Sequence, residues 1–297
     1  MDISIEIDPD YYDLQRDDYA DTDFASCTSD EQQFESLEAG HLLCILLDAH
    51  TENPLFQAPV KDPKQILDIG TGRGNWAIDT ADMFPNTTVR GVDLFPPPGD
   101  WLPPNCIMEV DDVLQEWTWR QPFDLIHILQ LIGAFTPVEW DGLFSQCYNM
   151  STDSSMVQFT EAVFRAGQEW DHPLDTLDTM RAAMEKAGFV DIHEKRYRWP
   201  VGPWARDPTL KEAGRLHYHQ WTAGMEGWGM YLLTKFGVPT PWTKEEVQVL
   251  LAGVRKELQN PHVHMWQYAR RVWGRKPMAE EDVKVKSEAV VIGDSGI

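Results

Sequence analysis

The clearest chemistry in the chain follows a short apolar run: Asp68-Ile69-Gly70-Thr71-Gly72-Arg73-Gly74. Glycines at such a turn let a ligand approach the backbone. The spacing is Gly-x-Gly-x-Gly rather than the Gly-x-Gly-x-x-Gly of dinucleotide sites, and an acid stands two residues before the first glycine. A carboxylate there repels a pyrophosphate but can hold an ammonium group. Asp93, roughly twenty residues on, is placed to accept both hydroxyls of a ribose. Asp112, in the pair Asp111-Asp112, can accept from an adenine amino group. A ligand with an amino-acid end, a ribose and an adenine fits S-adenosyl-L-methionine better than NAD. The expected cofactor-binding set therefore starts from Asp68, Gly70, Gly72, Gly74, Asp93 and Asp112.

Methyl transfer from such a donor is an in-line displacement at an already activated carbon, so a protein has mainly to align donor and acceptor. A hydroxyl or amine acceptor also calls for a general base. The catalytic candidates are Glu161, beside the expected acceptor site, and His217 and His219, which can face a substrate. The i, i+2 pairs His217/His219 and His262/His264 diverge on a helix and share a face on a strand. No third ligand stands at a metal-binding spacing, and no metal is expected.

These residues need elements to position them. Strands are read at Gln65–Ile69, Thr88–Asp93, Asn105–Val110, Phe123–Ile128, Met156–Thr160, Val190–Arg198 and Trp266–Trp273. Helices are read at Asn75–Phe84, Val138–Met150 and Leu174–Ala187, the last closed by Gly188. The alternation means an α/β fold with helices on both faces of a mostly parallel sheet. Ligands of such sheets bind outside the carboxyl ends of the strands. Residues 200–262 interrupt the alternation with Trp, Gly and Pro and two helices, about Pro208–Phe236 and Thr243–Leu258. They leave the carboxyl end of the sixth strand and read as a substrate lid, with Trp221 and Trp228 lining a pocket or packing a core.

Composition narrows the function. The 297 residues carry 48 acids against 25 Lys and Arg, a formal charge of −23. That balance disfavours nucleic acid and anionic membranes as partners. No apolar stretch is long enough to span a bilayer. The four cysteines show neither a disulfide framework nor metal spacing, which points to a reducing, cytoplasmic compartment, with the nucleus as the alternative. Residues 1–36 hold twelve acids and one base. They read as a disordered tail or as a docking arm for a basic protein partner. Residues 37–277 read as the folded domain and 278–297 as a loose tail.

The chain also resembles fungal class I S-adenosylmethionine-dependent methyltransferases, the group that includes the LaeA-like regulators and secondary-metabolite cluster methyltransferases. The resemblance rests on Asp68 to Gly72 with Gly74, Trp76-Ala77-Ile78-Asp79, Trp101 to Cys106, Asp111-Asp112, Trp117-Thr118, Phe123 to His127, Ala187-Gly188-Phe189, Gly202-Pro203-Trp204 and Gly274 to Pro277. It implies a Rossmann-like class I fold, a seven-stranded mostly parallel sheet with a helical insertion before the last strand. It implies S-adenosyl-L-methionine as donor and a small-molecule O or N acceptor. It adds Leu94, Val113 and His127 to the cofactor-binding set, His127 as pocket lining. Two alternatives stay open: a nuclear regulator acting through protein partners, and a non-methylating reaction such as a cyclisation. The chain departs from the group at Ser151 to Ser155, where relatives carry Leu-Lys-Pro-Gly-Gly, and lacks their N-terminal Gly-Arg-x-Tyr-His segment.

Overall fold

The computed structural model describes residues 5–9, 29–95, 101–131, 134–162, 179–236 and 240–279. Its elements are α1 (Ser29–Asp48), β1 (Gln65–Ile69), α2 (Asn75–Met83), β2 (Thr88–Asp93), β3 (Cys106–Val110), β4 (Phe123–Leu129), α3 (Pro137–Asn149), β5 (Ser151–Ala162), α4 (Thr179–Ala187), β6 (Val190–Pro200), α5 (Pro208–Phe236), α6 (Lys244–Leu258) and β7 (Trp266–Arg275).

The strands follow the order β3-β2-β1-β4-β5-β7-β6. β1 pairs in parallel with β2 on one side and β4 on the other, which sets Asp68 opposite Gly91 and His127. β3 and β5 extend the parallel array outward. The chain thus runs β1 to β3 in one direction, then restarts at β4 in the other, and the switch point lies between the carboxyl ends of β1 and β4. The near-continuous apolar runs suit strands covered on both faces: in β4, Leu125 to Ile128 are all buried. On β6 and β7, the ion pairs Arg275–Asp191 and Arg270–Glu194 match rising numbers on one strand to falling numbers on the other, the antiparallel sense.

The chain divides into two compact units. One is the sheet unit, from residue 56 to 161 with 175–195 and the chain from 270 on. Its core joins Leu67, Ile69, Val92, Ile126 and Ile128 of the strands to Trp140, Leu143 and Phe144 of α3 and to Met180 and Met184 of α4. α3 starts at a capping box, Thr136 and Glu139 each satisfying the other's backbone N–H, with Pro137 following the cap.

The other is the helical unit, whose described residues are 5–9, 29–55, 196–236 and 240–269. α1 packs along α5, and Ser36 Oγ donates to the Gln220 carbonyl at 2.8 Å. α6 is capped by Thr243 and Glu246 in the same reciprocal way as α3. Val201, Met225, Val247, Leu251 and Leu258 form the core here, with Trp221 and Trp228 packed against it. At residue 214 a Cβ would lie 2.0 Å from the Gly202 carbonyl oxygen, so only glycine fits.

Three features differ from the sequence reading. The expected tail does not run to residue 36, because α1 begins at Ser29. Ser36, Ala39, Gly40, Leu43 and Cys44 are buried at i, i+3, i+4, i+7 and i+8, a helix face made of small residues. Residues 5–9 are likewise attached. Ile7 bridges Ala205 in the antiparallel sense, Asp8 N donates to the Trp204 carbonyl at 2.8 Å, and Lys211 pairs with Asp8. Finally, β5 starts at Ser151, five residues before Met156 where the sequence reading begins it. Phe123 faces Ser151 while Leu125 faces Met156, so a bulge absorbs the departing Ser151 to Ser155 run. The start of the expected third helix at Leu174 and the tail from 280 on lie outside the described residues.

Candidate functional site

The glycine turn sits at the switch point. Gly70, Gly72 and Gly74 hold φ values of +70°, +55° and +84°, the left-handed region where a side chain is strained. The N–H groups of Gly70 and Thr71 both donate to the Val92 carbonyl, at 2.9 and 3.0 Å, which ties the end of β1 to β2. The N–H of Gly72 donates to Asp93 Oδ2 at 2.8 Å, and that of Phe95 to Asp93 Oδ1 at 3.1 Å. Asp93 therefore stands half-buried at the lip of the turn, fixed by two backbone donors. Leu94 beside it is 64% exposed.

Asp68 lies one layer deeper, almost fully buried. Its Oδ2 accepts from Thr71 Oγ1 at 2.7 Å, and its Oδ1 lies 2.8 Å from His127 Nδ1. This contact sets the orientation of the ring. The buried imidazole stacks on Trp76 of α2, ring centroids 3.7 Å apart and planes 6° from parallel. Acid, hydroxyl, imidazole and indole form one connected group under the glycine turn.

The end of β3 adds a second polar corner. Asp112 Oδ1 accepts from Leu114 N–H and its Oδ2 from the Gln115 side chain, both at 3.0 Å. Asp111 Oδ1 accepts from Asp112 N–H at 2.8 Å. Val113, named with the cofactor-binding set, has its side chain buried among Val92, Phe135 and their neighbours. Its carbonyl accepts from Trp117 Nε1 and Gln146 Nε2, both at 2.9 Å.

The catalytic candidates separate. Glu161 lies just past Thr160, which pairs with Leu129, at the carboxyl end of β5, and its side chain lies outside the described residues. His217 is corrected from a substrate-facing base to a structural residue. It is buried, its Nδ1 lies 3.0 Å from the Pro200 carbonyl and its Nε2 2.8 Å from Gln267 Oε1. Burial pushes its pKa down to about 4, against the weaker opposing pull of the Pro200 and Gln267 hydrogen bonds, so the ring is neutral at pH 7. His219 is half-buried on the same helix, and its carbonyl accepts from Thr222 Oγ1. Trp221 and Trp228 meet edge to face at 6.0 Å and pack on the helical core, the plainer of their two readings.

Sequence reasoning missed Thr71 and Trp76 as parts of the site. Thr71 stands inside the motif and was legible there as the residue able to bond Asp68 three positions back. Trp76 stands in one of the blocks that carry the resemblance, but its stacking was not legible, because its partner is 51 positions away. Among the described residues, no group of three or more His, Cys, Asp or Glu is placed to hold a metal ion. No helix there is long and apolar enough to cross a membrane. The helical unit holds a cavity of about 180 Å³ lined by Ile5, Ile7, Arg198, Trp204, His264 and Trp266.

A family model described as a methyltransferase domain matches residues 43–194. The methyltransferase pytC of Aspergillus terreus is 34% identical over 236 residues, covering 71% of each chain. The secondary metabolism regulator LAE1 of Cochliobolus heterostrophus is 29% identical over 254 residues, covering 75% of this chain and 81% of that one. Among solved structures, a phosphoethanolamine N-methyltransferase 2 of Haemonchus contortus, in complex with phosphomonomethylethanolamine and S-adenosylhomocysteine, superposes with a TM-score of 0.50 at 18% identity. That match covers 89% of this chain and 61% of the longer one, and it shows a shared fold.

Proposed function

The chain belongs to the S-adenosylmethionine-dependent methyltransferases, and from that premise we propose that it methylates an oxygen or nitrogen of a small molecule of fungal secondary metabolism. The observation that carries the reading is the left-handed glycine turn at the sheet's switch point with Asp93 fixed at its lip. The donor set fits the cofactor. Three carboxylates and no buried cation at the strand ends suit a ligand rich in hydroxyl and amino donors, not a phosphate. When bound, the cofactor supplies an activated methyl group on a sulfonium sulfur.

The chain's own residues then bind and orient. Asp93 accepts from the ribose hydroxyls, and Leu94 covers the adenine side. Asp112 accepts from the adenine amino group. Asp68 balances the ammonium charge while holding Thr71 and His127 in place. Glu161 contacts the acceptor and takes its proton. The seven strands read as the single sheet of the class I fold, and the compartment as the cytoplasm. The likeness to pytC favours a small-molecule acceptor. The likeness to LAE1 favours the second reading, a regulator in the nucleus, with residues 10–28 as the arm for a protein partner.

Calorimetry with S-adenosylmethionine and S-adenosylhomocysteine tests the site. Gly72→Val and Asp93→Ala should each weaken binding by about tenfold or more, the loss of roughly one good hydrogen-bonding contact to a charged group. Unchanged affinity in both variants would overturn the assignment. Turnover of labelled donor with small-molecule acceptors, set against a partner pull-down with and without residues 10–28, separates enzyme from regulator.

A further inference from the structure

β4 ends at Leu129, and the next residue, Gln130, has φ +58°. Asp62 and Asp191 share that left-handed backbone among the described non-glycine residues. Aspartate tolerates it because its short side chain bonds the local backbone, an option that the longer glutamine lacks. Gln130 carries a second penalty. Its side-chain amide nitrogen is buried and makes no hydrogen bond among the described residues. Native proteins satisfy nearly all buried donors, and strained backbone and unsatisfied polar atoms together mark sites where a ligand completes the structure.

The position of Gln130 says which part of a ligand this is. Ile69 faces Ile128 in the parallel pairing of β1 and β4, so Gln130 follows the strand end beside the glycine turn. Its neighbour Leu131 lies over Gly70, a methyl group 2.4 Å from where a Cβ would stand. β2 and β3, which carry Asp93 and lead into Asp112, lie on the opposite side of β1 from β4. If ribose and adenine lie toward β2 and β3, the amino-acid end lies toward β4. An amide N–H needs an acceptor, and the strong acceptor of that end is its carboxylate.

We propose that Gln130 is a cofactor-binding residue whose side-chain amide donates to the methionyl carboxylate of S-adenosylmethionine. The inference rests on the reading that the donor binds at the glycine turn. The test compares S-adenosylhomocysteine with 5′-methylthioadenosine, which keeps adenine and ribose but has no amino-acid end. In Gln130→Met, S-adenosylhomocysteine should bind about tenfold more weakly. Methylthioadenosine should bind as to the unaltered protein, and the ligand-free melting temperature should stay the same or rise. Gln130→Gly removes the amide while accepting the left-handed backbone, and must give the same split between ligands if the Met variant fails to fold. Equal weakening of both ligands, or no weakening of either, overturns the proposal. An unaltered protein that binds neither ligand overturns the donor-site reading itself, and this inference with it.

Discussion

Asp68 and His127 are 59 positions apart in sequence and 2.8 Å apart in space, and altering either removes a buried hydrogen bond of the other. His127→Phe keeps a flat ring against Trp76 but removes the only ring donor to a buried carboxylate oxygen. It should lower stability by about 1–3 kcal/mol in urea unfolding, and S-adenosylmethionine should bind more weakly as the turn above loosens. A variant as stable as the parent would mean that Asp68 relies on Thr71 alone. His217 carries the residue scale's pH dependence. Its folded pKa of about 4 lies below the ordinary 6.5 of an unfolded histidine. Between those values the unfolded chain binds a proton that the folded chain refuses, so stability is present above pH 6.5 and falls as pH drops toward 4. The loss is on the order of 3 kcal/mol for this group. Thermal unfolding at pH 7.5 and 5.0 should show the drop, and His217→Gln should flatten it. The glycines and acids of the site were legible because their meaning is local. His217 misled because its partners, Pro200 and Gln267, come from segments 17 and 50 residues away.

At the scale of elements, legibility tracked apolar contrast. α5 runs over Pro208–Phe236 as read, and Thr243 is the cap of α6, because Pro, Thr and Glu signal helix starts directly. α1 was not read from the sequence. Its buried face is built from Ser36, Ala39 and Gly40, which carry no hydrophobic signal, and only its fit against α5 makes those residues interior. The early start of β5 was hidden for a related reason: Ser151 to Ser155 reads as a turn until the strand beside it imposes a bulge. Gly214 gives this scale its sharpest test. Helix propensity alone says that Gly214→Ala in α5 should stabilise by about 1 kcal/mol. The Gly202 carbonyl 2.0 Å from the new methyl group says the reverse. The variant should be destabilised by roughly 1–3 kcal/mol through overpacking, read as a lower melting temperature. A rise would show that the two backbones can part freely.

The whole molecule carries −23 charges, yet its most acidic stretch begins with residues joined to the helical unit. The bridge of Ile7 to Ala205 and the contact of Ile5 with Trp204 do most of that joining, since exposed ion pairs such as Arg206–Glu6 contribute little. Deleting residues 1–9 should therefore lower the melting temperature by only a few degrees, and 0.5 M salt, which shortens the screening length to about half its physiological value, should reproduce little of the loss. A salt effect as large as the deletion would move the weight to Glu6 and Asp8.

The buried cysteines turn the two units into their own reporters. Cys44 stands in the helical unit, while Cys106 and Cys147 stand in the sheet unit, and all three thiols are buried. Burial, with Asp68 and Asp82 nearby, raises Cys106 to about 11, and burial raises Cys147 further. Since only a thiolate attacks an alkylating reagent, each sulfur is silent until its surroundings open. With Cys27 replaced by serine, a timed pulse of iodoacetamide followed by peptide mass analysis becomes a clock with two hands, one per unit, that dates each opening event without any added probe.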